Sequence, residues 1–437
     1  MSFGPFRFGS PAQKHDIELY MNDYLIFILI VIIGVYALDS LTDLLNLKNL
    51  RLPLPDEFKD IFDPKKYQES LCYQRDQTHF ALIQRTFSLS TTLLFILLGG
   101  FNYVDTAVRA LETGPITTGL LFFAALTGLN FIAHLPFSIY DTFVLEARYG
   151  FNKTTVATYC LDLLKGGILG ALFGGLIFSA VLYFFDHLGP DAWAYSWLGV
   201  TLFQIVLMYL APAVIMPLFN KFDPLPTGPL RDAIEDYARK TNFQLSGVFQ
   251  MDSSKRSTKS NAFFTGFGKY RRLVLFDTLI QNHTPEELVS VIAHEVGHFK
   301  RKHILKSMIL SILTTGLIFY ILGLLLNNPQ LFAAFQMEHI SVYASLVFAG
   351  FIYAPLLRII STLGQMISRR HEFEADAFAL ETYNNPETLV SALKKLSRDN
   401  MSHLTPHPWK VFLDYSHPPV MARIEALRKR SVPHSGL

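Results

Sequence analysis

Six stretches of this chain run for about 18 residues or more, the span of a bilayer's hydrocarbon core, without a single Asp, Glu, Lys or Arg. They are 87–104, 116–140, 166–185, 192–219, 307–326 and 340–357. A seventh, 24–42, is interrupted only by Asp39 near its end. The pattern predicts about seven membrane-spanning helices, five before residue 219 and two more between 307 and 357. Polar sequence collects in two places, an insertion at 220–306 and a tail at 358–437. In the insertion, 230–241 reads as a helix, followed by short β-rich runs at 247–251, 262–265 and 273–277 between Ser/Lys- and Gly/Lys-rich turns. Thr284, Pro285 and Glu287 then form a helix start, with a capping hydroxyl, a proline at the first helical position and a carboxylate at the third. The expected fold is mainly α and polytopic, with a small α+β part. It divides into spans one to five (1–219), the insertion (220–306), spans six and seven (307–357) and a C-terminal segment (358–437).

Composition supports this reading. Of 437 residues, 50% are hydrophobic, 14% aromatic and only 17% charged, too apolar for the two or three soluble domains such a length would otherwise suggest. The first apolar run is long and is not followed by a small-residue cleavage site, so no signal peptide of the usual shape is expected. Basic residues orient the bundle. Lys48, Arg51, Lys59, Lys65, Lys66, Arg75 and Arg85 fall between spans one and two, and Arg148, Lys153 and Lys165 between three and four. The connections after spans two, four and six hold only Arg109, so the N-terminus is expected outside and the C-terminus inside, against Arg7 and Lys14 on the tail. A net charge of +2 with no basic tract interleaved with aromatics excludes a nucleic-acid platform. Cys72 and Cys160 both fall on or near the cytoplasmic side, where a structural disulfide is not expected.

The chemistry concentrates at His294-Glu295-Val296-Gly297-His298, which fits the helical zinc-hydrolase pattern H-E-x-x-H. Residues four apart share a helix face, so both imidazoles reach one Zn²⁺ while Glu295 points to its open side. Zinc lowers the pKa of a coordinated water to about 7, and a carboxylate placed like Glu295 takes its proton. A third ligand must come from elsewhere, and Glu372 supplies it, with Asp376 one turn on as acceptor for the free N–H of a ligand imidazole. Glu374 lies about 200° round the helix from Glu372, and the rival ligand His371 about 100° away with no carboxylate four residues later. His134, inside a span, is a candidate for a chamber-facing position or a structural hydrogen bond. The competing class is a non-catalytic scaffold or channel with a structural zinc, against which Glu295 argues, since a closed structural site needs no base.

Further segments extend the pattern: residues 146–155 (EARYGFNKTT), 217–222 (PLFNKF), 260–266 (SNAFFTG), 272–280 (RLVLFDTLI), Glu372 to Asp376, and 415–418 (YSHP). In this order, from about the second span to Arg423, the chain resembles the type I CAAX prenyl endopeptidases, integral-membrane zinc metallopeptidases. The resemblance implies seven spans ringing a water-filled chamber, with the zinc site at its cytoplasmic end. It implies cleavage of a peptide or protein substrate beside a prenylated cysteine in eukaryotic members. In bacterial relatives it implies membrane-protein quality control. The membrane is then a bacterial inner membrane or the endoplasmic reticulum. It also assigns roles by position: Asn261 holds substrate backbone at the edge of a short strand, while His417 steadies the oxyanion with Arg423 as its companion.

Overall fold

The computed structural model describes residues 22–265 and 272–431. Arg7 and Lys14 of the tail and Gly266 of the SNAFFTG segment lie outside them. Among the described residues seven helices are long and apolar enough to cross a membrane: Asp23–Asn49, Pro64–Leu97, Pro115–Arg148, Val156–His187, Gly189–Phe219, His303–Leu325 and Val342–Tyr383. The count agrees with the charge-free stretches, but the lengths do not. Span two starts at Pro64, so Lys65, Lys66, Arg75 and Arg85 ride on its polar half and not in a loop. It also stops at Leu97, where the sequence reading ran on to 104. Gly99 takes a left-handed φ of 67°, breaking the chain into a separate short helix, Gly100–Arg109. A charge count cannot see such a turn, since glycine is uncharged and adopts this backbone at little cost.

Span seven departs furthest from the expected boundaries. It runs unbroken for 42 residues from Val342 to Tyr383, so the division at 357/358 falls inside one helix.

Contacts between segments sort the ends of the bundle. At one end the soluble segments meet the spans: Asn49 donates to the Thr405 carbonyl at 3.3 Å, and Arg256 grips Asp162 through two hydrogen bonds of 2.8 and 2.9 Å. At the other end Asn22 donates to the Gln330 carbonyl at 2.7 Å and Asn102 to Glu338 at 3.1 Å. Asp39, the charge that interrupts span one, sits 2.8 Å from Arg358 of span seven. From there an alternating chain runs through Asp414, Lys410 and Asp43 to Arg85 of span two, each step 2.6 to 2.8 Å. Pairing of this kind is what lets charged groups stand beside apolar spans.

The insertion folds as a four-stranded sheet with order β1-β2-β4-β3, comprising β1 (Phe222–Pro224), β2 (Gly247–Met251), β3 (Ala262–Thr265) and β4 (Arg272–Phe276). The sequence reading missed only β1, which is three residues long. β2 and β4 run parallel, while β3 lies antiparallel to β4 on the edge of the sheet. The helix Pro285–Lys300 begins with the expected capping box at Thr284 and Glu287. Its inner face, Leu288, Ile292, Ala293 and Val296, joins one buried hydrophobic cluster with Leu273 and Leu275 of β4 and with Val390, Ile424 and Leu427 of the C-terminal segment. Each such fully buried large aliphatic side chain contributes roughly 1.5–3 kcal/mol. Together they bolt the motif helix to both soluble segments.

Candidate metal centre

Two helices build the site. The motif helix Pro285–Lys300 presents His294 and His298 on one face, and span seven crosses it so closely that any side chain at Gly297 would force the two helices apart. A Cβ there would stand 2.9 Å from the Ala375 Cα and 3.0 Å from its carbonyl oxygen. That approach puts Glu372 opposite both imidazoles. His294 Nε2 lies 3.1 Å from His298 Nε2 and 3.4 Å from Glu372 Oε2, and His298 Nε2 lies 3.2 Å from Glu372 Oε1. One ligand atom from each of the three residues lies within 4.8 Å of the others, a metal-sized cluster. Glu372 Oε2 is buried with no hydrogen-bond partner. Arg423 Nη1 stands 3.3 Å from it as an ion pair without a hydrogen bond, and a buried carboxylate oxygen lacking hydrogen bonds costs about 1–3 kcal/mol or more, so the donor set fits a metal ion that would complete it.

The outer nitrogens of the two imidazoles are held differently. His294 Nδ1 meets Asp376 Oδ1 at 2.8 Å, the pairing expected of a carboxylate one turn beyond Glu372. Arg423 clamps the same carboxylate, with Nε 2.8 Å from Oδ2 and Nη2 2.6 Å from Oδ1, and its Nη1 stands 3.3 Å from Glu372 Oε2. Arg423 is 8% exposed, its guanidinium engaged by two carboxylates. Burial and Arg423 both oppose a charge on His294, yet Asp376 and Glu372 outweigh them and raise its pKa to about 9. Burial pushes the Glu295 carboxyl above the usual carboxylate range, with the two imidazoles opposing it.

His298 turns its Nδ1 to His303 Nδ1 at 3.0 Å. Sequence reasoning missed His303. It is the last residue of the run Lys300-Arg301-Lys302-His303, which reads as a solvated boundary, and its position depends on the left-handed φ of 58° at Lys302 between the two helices. The available signal was a third imidazole five residues after His298. Glu374 points to His303 Nε2 at 3.1 Å and not to the ligand cluster, and His371 stacks on the His303 ring at 3.9 Å and 9°.

A cavity of about 1030 Å³ gathers His294, Glu295, His298, Glu372, His417 and Asn261 along its wall. Asn261 directly precedes edge strand β3, its Oδ1 accepting from the Ala262 N–H at 2.8 Å. The His417 side chain is 65% exposed, its Nε2 3.5 Å from Glu372 Oε1 and its Nδ1 2.8 Å from the Ser416 hydroxyl. His134 lies elsewhere, bonded to the Ser88 hydroxyl at 2.7 Å and the Asn130 carbonyl at 3.0 Å, in a separate cavity of about 510 Å³. Cys72 and Cys160 are both free thiols.

Seven spans carrying a two-histidine, one-glutamate cluster define a multi-pass membrane metallopeptidase. Residues 43–221 match the family described as CAAX prenyl protease N-terminal, five membrane helices, and residues 224–431 match Peptidase family M48. Over 413 residues the chain is 36% identical to a rice protein (Oryza sativa subsp. japonica) called CAAX prenyl protease 1 homolog, covering 92% of this chain and 97% of that one. A human protein of the same name is 31% identical over 421 residues, covering 86% of this chain and 88% of the other. The crystal structure of S. mikatae Ste24p superposes with a TM-score of 0.88 at 30% identity, covering 93% of this chain and 99% of that one. The chain belongs to the CAAX prenyl protease 1 family. It is a metalloendopeptidase acting on peptide or protein substrates from within a lipid bilayer, and nothing among its relatives supports a non-catalytic scaffold.

Proposed function

We propose that this protein uses a single zinc ion, held by His294, His298 and Glu372, to cleave substrates beside a prenylated cysteine. When bound, the ion would supply Lewis-acid polarisation of the attacked carbonyl and an acidified water. The remaining work falls to this chain. Glu295 takes the proton of the attacking water and passes it to the departing amine. Asn261 and the free edge of β3 align the substrate as an added strand. His417 donates a hydrogen bond to the oxygen on which charge develops, next to the Arg423 guanidinium. Asp376 fixes the tautomer and orientation of His294.

One observation carries the prenyl reading. The cavity that holds Glu295 and Asn261 is continued by Ile205 and Met208 of span five and Met308 and Ile312 of span six, with Gln204, Ser307 and Ser311 among them, so a peptide at the metal centre has a membrane-borne wall with apolar side chains beside it. That arrangement suits a short peptide carrying a long hydrocarbon chain, and the names of the rice and human relatives agree with it. The active end faces the cytoplasm in this reading, whether the membrane is a bacterial inner membrane or the endoplasmic reticulum, because the basic connections lie on that side. The insertion at 220–306 and the segment from 358 act as one peptidase part carried by spans one to five (1–219) and spans six and seven (307–357). No nucleic-acid partner is proposed.

The test is cleavage of one peptide offered farnesylated and unfarnesylated to the zinc-loaded protein, with products mapped. Preferred scission next to the modified cysteine is expected, and equal turnover of both peptides would refute the prenyl requirement. Labelling of single cysteines in sealed vesicles tests the orientation: reaction of a cysteine at 43–63 from the outer face would overturn it.

A further inference from the structure

We propose that His303 is a positioning residue for the metal centre, holding His298 as Asp376 holds His294, through an imidazole relay anchored on Glu374. The inference rests on the proposed ligand set. It arises from an asymmetry: one ligand imidazole backs directly onto a carboxylate, while the other backs onto a second imidazole.

The protons follow from the geometry. His298 Nε2 faces Glu372 and His294, so as a neutral ligand His298 carries its hydrogen on Nδ1. That N–H points at His303 Nδ1, 3.0 Å away, which must therefore accept, leaving the His303 hydrogen on Nε2. Glu374 Oε2 stands 3.1 Å from that nitrogen and accepts it. Each imidazole of the relay then has one donor and one acceptor in use, and the Glu374 carboxylate ends it as acceptor. Glu374 is itself fixed by the Arg370 Nε at 2.9 Å, with Lys306 Nζ at 3.8 Å. His303 is 3% exposed and its ring lies flat on His371, so it cannot swing away from His298. Outer partners of this kind set tautomer and ring orientation, and losing one typically weakens metal binding about 10- to 100-fold.

The experiment measures Zn²⁺ affinity of the full-length protein in detergent by competition with graded chelators, with thermal unfolding of the metal-free forms as a check on folding. His303→Phe keeps a ring to stack on His371 but removes the acceptor, whereas His303→Asn is smaller yet places a carbonyl oxygen near the lost Nδ1. Affinity about 10- to 100-fold weaker is expected for His303→Phe, with most of the loss recovered in His303→Asn. A residue that only filled space would show the reverse order. Wild-type affinity in His303→Phe, or no recovery in His303→Asn, overturns the proposal. Should His303→Phe fail to fold, Glu374→Gln takes its place: weaker binding supports the relay and unchanged binding refutes it. His298→Ala separates the two readings. Full zinc binding by that variant would remove His298 from the ligand set, a different failure from an intact ligand set indifferent to His303.

Discussion

Gly297 offers the sharpest test of how the site is assembled, because its substitution adds one methyl group where two helices touch. The new Cβ would lie 2.9 Å from the Ala375 Cα, 3.0 Å from the Ala375 oxygen and 3.1 Å from the Phe378 Cβ. Non-bonded carbons settle at about 3.5–4.0 Å, so the motif helix and span seven must part by roughly half an ångström or more. Overpacking of this sort costs about 1–3 kcal/mol, while alanine gains about 1 kcal/mol of helix propensity over glycine. The net loss of stability is therefore modest, roughly 0–2 kcal/mol. The metal centre has no such compensation. Its three proposed ligands come from the two helices being separated, and metal–ligand distances tolerate only about 0.2 Å. Gly297→Ala should fold, with a metal-free thermal midpoint close to that of the parent, yet bind Zn²⁺ more than tenfold more weakly in chelator competition. Parental affinity in a folded Gly297→Ala protein would show that the crossing does not set the ligand geometry.

Glu295→Gln should keep its zinc and lose nearly all peptidase activity, and near-normal turnover by the metal-loaded variant would remove Glu295 as the base. Glu372→Ala should purify without metal while Glu374→Ala keeps a full complement when zinc is in excess, as elemental analysis would show; equal loss in both would place the ligand on the wrong helix face. Asp376→Asn should weaken zinc about 10- to 100-fold without abolishing binding, because the amide oxygen still accepts from His294 but without the charge that raises its basicity. Burial alone would raise the pKa of Glu287, but Lys395, Ser391 and the Thr284 N–H hold it below its ordinary 4.5. The stability contributed by its charge is therefore present above pH 4.5 and lost as pH falls through the lower folded value. Glu287→Gln should accordingly lower the thermal midpoint near neutrality, by the equivalent of about 1–3 kcal/mol, and match the parent in acid. A constant difference across pH would contradict the assignment.

Much of this architecture is written in local patterns. Charge-free runs mark six of the spans, and a run broken only by Asp39 marks the other, because hydrocarbon excludes ions, and the H-E-x-x-H spacing needs only helical geometry. The same geometry separates Glu372 and Asp376 from Glu374, which indeed points elsewhere. What local pattern does not carry is where a helix continues after leaving the lipid. Spans two and seven extend through polar residues that a hydropathy reading assigns to loops. Nor does it carry contacts fixed by a single backbone turn. The left-handed residue at Lys302 folds His303 back onto His298, and the same four letters on a straight helix would have placed that ring elsewhere. Arg423 was legible as a site residue from the resemblance, but its two-pronged grip on Asp376 depends on tertiary packing.

The unbroken run of span seven ties metal acquisition to biogenesis. Its 42 residues extend for about 63 Å, roughly twice the hydrocarbon thickness of a bilayer, so one continuous helix is anchored in lipid at one end and carries Glu372 towards the other. During synthesis the two proposed histidine ligands emerge before span six, and the proposed third, Glu372, comes only with the far part of span seven. With that proposed ligand set, the centre stays incomplete until the last helix has been inserted and docked at Gly297. A protease assembled in this order is inert while its own chain is still threading into the membrane, and becomes competent only once the whole bundle has closed.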